Sequence, residues 1–229
     1  MIDTKDRILD AAEALFARQG VAATSLRSVT AEAGVNGAAI HYHFGSKTAL
    51  VQALIERRVA PINDERLARL AELEAAAGAA PVAVEALLRA FLSPMVRRGS
   101  EGGRPGEPRL AGLFAWLHGD DDSHAAAIRA RFDAVKRRFA KALARATGGS
   151  DAALAGEWLD AAMGAALPLL AAVRAQRARD VDDRFERLVA FLVGAVEAAS
   201  ARERRRRAPA RGRASGAARR AARGAGGRA

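Results

Sequence analysis

Leu26-Arg27-Ser28-Val29-Thr30-Ala31-Glu32-Ala33-Gly34-Val35-Asn36-Gly37-Ala38-Ala39-Ile40-His41-Tyr42-His43-Phe44-Gly45-Ser46-Lys47 decides how this chain is read. The stretch reads as two short helices, at about 26–33 and 37–44, joined by a tight turn at Gly34-Val35-Asn36. Leu26, Val29 and Ala33 share one face of the first helix, while Val35, Ile40 and Phe44 supply the apolar side of the turn and second helix. Gly34 permits the left-handed backbone that a sharp turn needs. On the opposite side stand Arg27, Asn36, Gly37, Ala38, Ala39, His41, Tyr42 and His43. A pair of helices of this shape pushes the start of its second member into the major groove of duplex DNA.

The residues on that side divide by chemical target. Thr24 or Ser25, capping the first helix of the pair, and Lys47, opening the next helix, suit the phosphate oxygens flanking a groove. Tyr42 offers a hydroxyl donor to phosphate. Arg27 has the fork for a two-pronged bond to a guanine edge, and Asn36 and His41 have the polarity to read base edges. Ala38 and Ala39 allow close approach and contact with a thymine methyl. Gly37 adds no side chain, so little positive charge projects from the start of this helix.

Composition narrows the classes around that reading. The 229-residue chain lacks cysteine, which excludes disulfides and thiolate metal sites and fits a reducing cytoplasm. Acids stand in Met1-Ile2-Asp3-Thr4-Lys5-Asp6, where a signal peptide needs positive charge, and no run approaches the ~18 apolar residues of a membrane span. A cytoplasmic protein without membrane association is expected. The net charge of +11 misleads: residues 200–229 hold eleven arginines against Glu203, leaving the rest of the chain almost neutral. Any specific DNA site must therefore come from local residues.

Alanine, leucine and arginine dominate and nothing alternates at period two, so the fold class is all-α with about nine helices. The first is expected at 4–19, capped by Asp3 or Thr4, with Ile8, Ala12, Leu15 and Phe16 on one face and Gly20 at its end. A helix from Lys47 runs to about Arg58, where Pro61 should break or kink it, and the pattern resumes to Gly78. Further helices are expected at about 81–98, 108–118, 123–146, 151–177 (kinked by Pro168) and 181–206, with a loop at 99–108. The Gly/Ala/Arg/Pro/Ser mixture at 208–229 has no large apolar residue and is expected to be disordered.

His118-Gly119-Asp120-Asp121-Asp122-Ser123-His124 is the one cluster that hints at a metal-dependent enzyme. Its spacing matches no zinc or calcium pattern, and a loop capping the helix at 123 explains it better. No dinucleotide, phosphate-loop or nucleophile-elbow signature appears, so no cofactor and no enzyme activity are expected. The arginine tail admits a second reading, a non-specific or architectural DNA binder driven by counterion release.

Residues 4–57 resemble the DNA-binding domain of the TetR family of transcriptional regulators. The resemblance rests on Ile8-Leu9-Asp10-Ala11-Ala12, Leu15-Phe16, Gly20, Thr24-Ser25-Leu26-Arg27, Ala33-Gly34-Val35, Tyr42-His43-Phe44 and Ser46-Lys47. The run Asn36-x-Ala38-Ala39-Ile40-x-Tyr42-His43-Phe44-Gly45-Ser46-Lys47 further resembles a branch that includes fatty-acid-responsive regulators. Thr30 stands where a small alanine is usual, Gly37 where lysine or arginine is frequent, and His41 where tyrosine or asparagine is common. The resemblance implies a DNA-binding domain at 1–57, a helical ligand-binding and dimerisation domain at 58–207, and a homodimer on a palindromic DNA operator. It implies a repressor released by a small hydrophobic or amphipathic effector, with a fatty acid or acyl derivative among the options. On that analogy Phe91, Met95, Phe114, Trp116, Phe132 and Phe139 are pocket candidates. Two stripes at helical spacing, containing Trp158 and Met163 in one helix and Phe185, Leu188 and Leu192 in the next, are candidates for the dimer interface.

Overall fold

The structure, a computed structural model, describes residues 3–100, 123–172 and 178–207. Among them are eight helices and no strand: α1 (Thr4–Ala23), α2 (Leu26–Ala33), α3 (Gly37–His43), α4 (Lys47–Ala77), α5 (Val84–Ser100), α6 (Ser123–Ala146), α7 (Ala152–Ala172) and α8 (Ala178–Arg207). The all-α expectation holds. The helix expected at 108–118 and the disordered tail expected at 208–229 lie outside the described residues, as does nearly all of the loop at 99–108.

Helix α1 buries Ile8, Leu9, Ala12, Leu15 and Phe16 on one face. Asp3 occupies its N-cap position with extended backbone, but its side chain makes no capping bond, contrary to expectation. Gly20 breaks the helical backbone at φ 82°, and a last turn then follows to Ala23. Helix α2 starts in a capping box in which Ser25 Oγ accepts from Ser28 N at 3.0 Å and Ser28 Oγ accepts from Ser25 N at 3.1 Å. It ends at Gly34, whose φ of 62° lies in the left-handed region. Thr30 fits the helix crossing despite its hydroxyl, because that group donates to Arg27 O at 2.9 Å.

Helix α4 takes its N-cap from Ser46, whose Oγ accepts from Ala49 N at 3.1 Å, and runs 31 residues to Ala77. Of the two outcomes expected at Pro61, a break does not occur: the helix continues through it. The proline removes one ladder donor, but Val59 and Ile62 on either side are buried, and packing holds the helix through the gap. Its first half buries Leu50, Val51, Leu54 and Ile55, and its second half Ile62, Arg66 and Leu70. One helix thus spans the 57/58 boundary expected from sequence.

In the body, α5 lies at the centre, packed against α4, α6, α7 and α8. Leu87, Leu88, Phe91, Leu92 and Met95 are all buried there. Ion pairs tie its neighbours at the rim, with Arg89 of α5 bonding Glu186 of α8 and Lys136 of α6 bonding Asp160 of α7. Helix α7 continues through Pro168. The two stripes assigned to a dimer interface mostly face inward: Met163, Phe185 and Leu192 are buried with Leu159 and Val189 in the core of one protomer. Trp158 and Leu188 are half-buried against that core. A helical stripe signals burial without saying which partner covers it, and here α5 does so.

The seam between α1 and α4 is electrostatic. Glu13, 2% exposed, receives bonds at Oε2 from Arg58 Nη2 at 2.7 Å, Arg58 Nε at 3.1 Å and Arg57 Nη2 at 3.2 Å. Arg57 also reaches Asp10 Oδ1 at 2.8 Å. Removing one member of a buried charge cluster strands the others. Glu13→Gln is expected to lower stability by about 2 kcal/mol, read as a lower urea midpoint at unchanged slope.

Candidate nucleic-acid interface

The turn between α2 and α3 is held from outside itself. Arg7, on α1, donates from Nη2 to Ala33 O at 2.7 Å and to Gly34 O at 3.1 Å, satisfying carbonyls left over at the end of α2. A Cβ on Gly34 would lie 3.2 Å from that nitrogen, so a larger residue there would displace the guanidinium by a few tenths of an ångström. Val35 N then bonds back to Thr30 O at 3.0 Å, and Asn36 starts α3.

Beyond the turn, Asn36, Gly37, Ala38, His41 and Tyr42 are exposed on α3, and Arg27 is exposed on α2. Ile40, on the other side of α3, is 2% exposed and fixes its rotation. Tyr42, 86% exposed, projects furthest, its ring held edge-on to His43 at 5.1 Å between centroids. His43 is half-buried beside Phe44, and Ala39 is half-buried against the core, so both lie at the margin of the face. No Asp or Glu occurs between Ala33 and Ile55, which leaves this face without the charge that would repel phosphate.

Several predicted contacts have other work in the free protein. Asn36 Oδ1 accepts from Ala38 N at 3.0 Å, so this side chain caps α3 and only its amide group remains to read a base. Thr24 is 1% exposed and donates its hydroxyl to Gly20 O at 2.8 Å, which turns it away from any phosphate. Ser25, exposed beside it, is the residue that caps α2. Lys47 Nζ donates to Ala22 O at 3.1 Å, capping the end of α1. Two of its three ammonium hydrogens stay available to solvent or phosphate. His41 Nδ1 lies 3.4 Å from Gly45 O.

Of the pocket candidates, Phe91, Met95 and Phe139 come together in the body core, the two phenylalanine rings 5.1 Å apart. Phe114, Trp116, His118 and Asp120 lie outside the described residues, as do the side chains of His124 and Phe132. Sequence reasoning missed Arg66, which sits on the same stripe of α4 as Ile62 and Leu70 and is 4% exposed. Its guanidinium lies 4.3 Å over the Phe91 ring, donates from Nε to Phe91 O at 2.6 Å and from Nη1 to Asn63 Oδ1 at 3.1 Å. Burial pushes it down to about 10, so it stays charged at neutral pH. A cation placed at i and i+4 between apolar residues was the signal that could have found it.

The exposed α3, its acid-free face and the helical body together make a helix-turn-helix arrangement carried on an all-helical core. Residues 8–54 match the model of the tetR family of bacterial regulatory proteins. The HTH-type transcriptional regulator TtgR of Pseudomonas putida is 44% identical over 54 residues, covering 24% of this chain and 26% of that relative. The chain thus matches about a quarter of the length of the curated relatives it resembles. Over the whole fold, AmtR of Mycobacterium smegmatis superposes with a TM-score of 0.59 at 19% identity, covering 88% of this chain and 94% of that one. MexZ, a repressor of Pseudomonas aeruginosa, superposes with a TM-score of 0.55 at 24% identity, covering 84% and 94%.

The capping bond of Asn36 makes a separable prediction. Asn36→Ala should cost roughly 1 kcal/mol of stability, and Asn36→Ser should recover most of it because serine caps as well. Equilibrium denaturation of both variants checks this.

Proposed function

We propose that the chain is a one-component transcriptional regulator in which α3 reads duplex DNA and the body senses a small molecule. The observation that carries the reading is α3 itself, with Tyr42 projecting beside exposed Gly37, Ala38 and His41 in a segment of the tetR family. Residues 1–57 are the reading head and residues 58–207 the sensing and dimerising part. Arg27, Asn36 and His41 face base edges, Ala38 and the margin residue Ala39 approach a thymine methyl, and Ser25, Tyr42 and Lys47 contact backbone phosphate. The protein acts as a repressor, bound to a near-palindrome as a homodimer whose two heads sit ~34 Å or a multiple apart. An apolar or amphipathic effector held in the body favours a separation of heads that no longer fits, and so releases the duplex.

Binding of the whole protein to random duplex and to DNA from its own promoter region, followed by fluorescence anisotropy, tests the proposal. Tyr42→Ala and Lys47→Ala are each expected to weaken both duplexes about tenfold, which is ~1.4 kcal/mol. Arg27→Ala should instead relax sequence choice at one base pair by roughly 1–3 kcal/mol. Equal affinity of the unmodified protein for the two duplexes would refute specific reading and favour an architectural binder.

Dimerisation is supported by the outer face of α7 and α8. Ala161, Gly164 and Ala165 on α7 and Ala190, Phe191, Gly194 and Ala195 on α8 are exposed, with Phe191 70% open to solvent. Small residues let helices approach closely, and an isolated exposed phenylalanine seeks a cover that a two-fold partner supplies. Phe191→Glu is expected to convert a dimer into a monomer in sedimentation velocity while leaving the helical content unchanged. An unmodified protein that sediments as a monomer at micromolar concentration would defeat this part.

A further inference from the structure

Arg66 carries an unanswered charge in the centre of the body. Its Nη2, with two N–H groups, has no acceptor and is buried. No carboxylate among the described residues bonds it. Glu65, the adjacent acid, is directed to Arg69, Arg97 and Arg98. A purely structural strap from α4 to α5 needs only the Nε bond to Phe91 O and the Nη1 bond to Asn63, and leaves the third nitrogen unexplained. Buried polar groups in folded proteins are usually paired. Glu13 Oε1, Arg57 Nε and Ser150 Oγ are also buried without a partner here, and Arg66 is the one of these residues stacked on a phenylalanine ring in the body core.

We propose that Arg66 is the anchor for the carboxylate of an amphipathic ligand whose apolar part lies along Phe91, Met95 and Phe139. The inference deepens the sensing role given above and rests on it. The planar guanidinium matches a carboxylate in geometry and charge, one cation to one anion. A phosphate dianion would leave a second charge unmatched, since no other cation is buried in this layer among the described residues. The walls on hand are aromatic and aliphatic: Phe91 against the guanidinium, Phe139 against Phe91, and Met95 one turn further along α5, all three buried. That surface suits a hydrocarbon body. A neutral ligand of the same shape would leave Nη2 as it is, so the charged head decides affinity.

The test uses the full-length protein and a series of straight-chain carboxylates from hexanoate to hexadecanoate, each paired with the alcohol of equal length. Titration calorimetry and thermal unfolding read binding, since a ligand that binds the folded state raises its melting temperature. The expected result is at least tenfold tighter binding of one or more carboxylates than of the matching alcohols, with release of the protein's duplex by the same compounds. Arg66→Met should abolish that preference while duplex binding persists, and Arg66→Lys should keep part of it. Equal binding of acid and alcohol to the unmodified protein overturns the proposal without any variant, and so does a series in which no carboxylate binds. An Arg66→Met protein that keeps the preference shows a strap and nothing more. If duplex binding is specific throughout but carboxylates have no effect, only the Arg66 assignment falls. If no duplex is bound specifically, the regulator reading falls as well.

Discussion

The buried carboxylate of Glu13 fixes how the helix-turn-helix of α2 and α3 sits on the rest of the molecule. It lies on α1 among Leu9, Ala12 and Phe16, and the two arginines that answer it, Arg57 and Arg58, stand about a third of the way along α4. The same helix begins with Lys47 at the head and ends beyond Leu70 in the body. At 1.5 Å per residue its 31 residues trace roughly 46 Å of continuous helix. The angle between α1 and α4 therefore determines where α3 is presented. That angle is held by charges whose geometry is directional, set against apolar packing that is not.

Local signals were legible where the residues that made them also satisfied them. Gly34, Asn36 and Ser46 marked a turn and two helix starts, and each bonds or bends within a few residues of itself. The apolar sides of α1 to α3 followed from spacing for the same reason. Whether Pro61 would break α4 was not legible, because its cost is local, ~3 kcal/mol in a helix interior, while what offsets it comes from α5 and α6 packed against α4. The stripes on α7 and α8 show a different limit. Periodicity identified Met163, Phe185 and Leu192 as covered, and burial by α5 could not be told from burial by a second protomer.

The candidate site divides along the same line. Exposure of Tyr42 and His41 could be read from their place opposite Ile40 on a short helix. The bonds of Arg7 to the end of α2 and of Lys47 to the end of α1 join residues 26 or 27 and 25 positions apart, and no pattern along the chain announces them. Thr24 and Ser25 illustrate the limit: two adjacent hydroxyls with similar propensities, one turned inward to Gly20 and the other outward. Arg66 belongs with these long-range cases, although a charge in the middle of an apolar stripe was a visible anomaly.

Gly37, Ala38, His41 and Tyr42 contribute little to the packing that Ile40, Val29 and Ile8 sustain from the other side. The exposed face of α3 is therefore decoupled from the framework that holds it. Substitutions on that face leave the protein folded, so a duplicated copy can vary there through stable intermediates at every step.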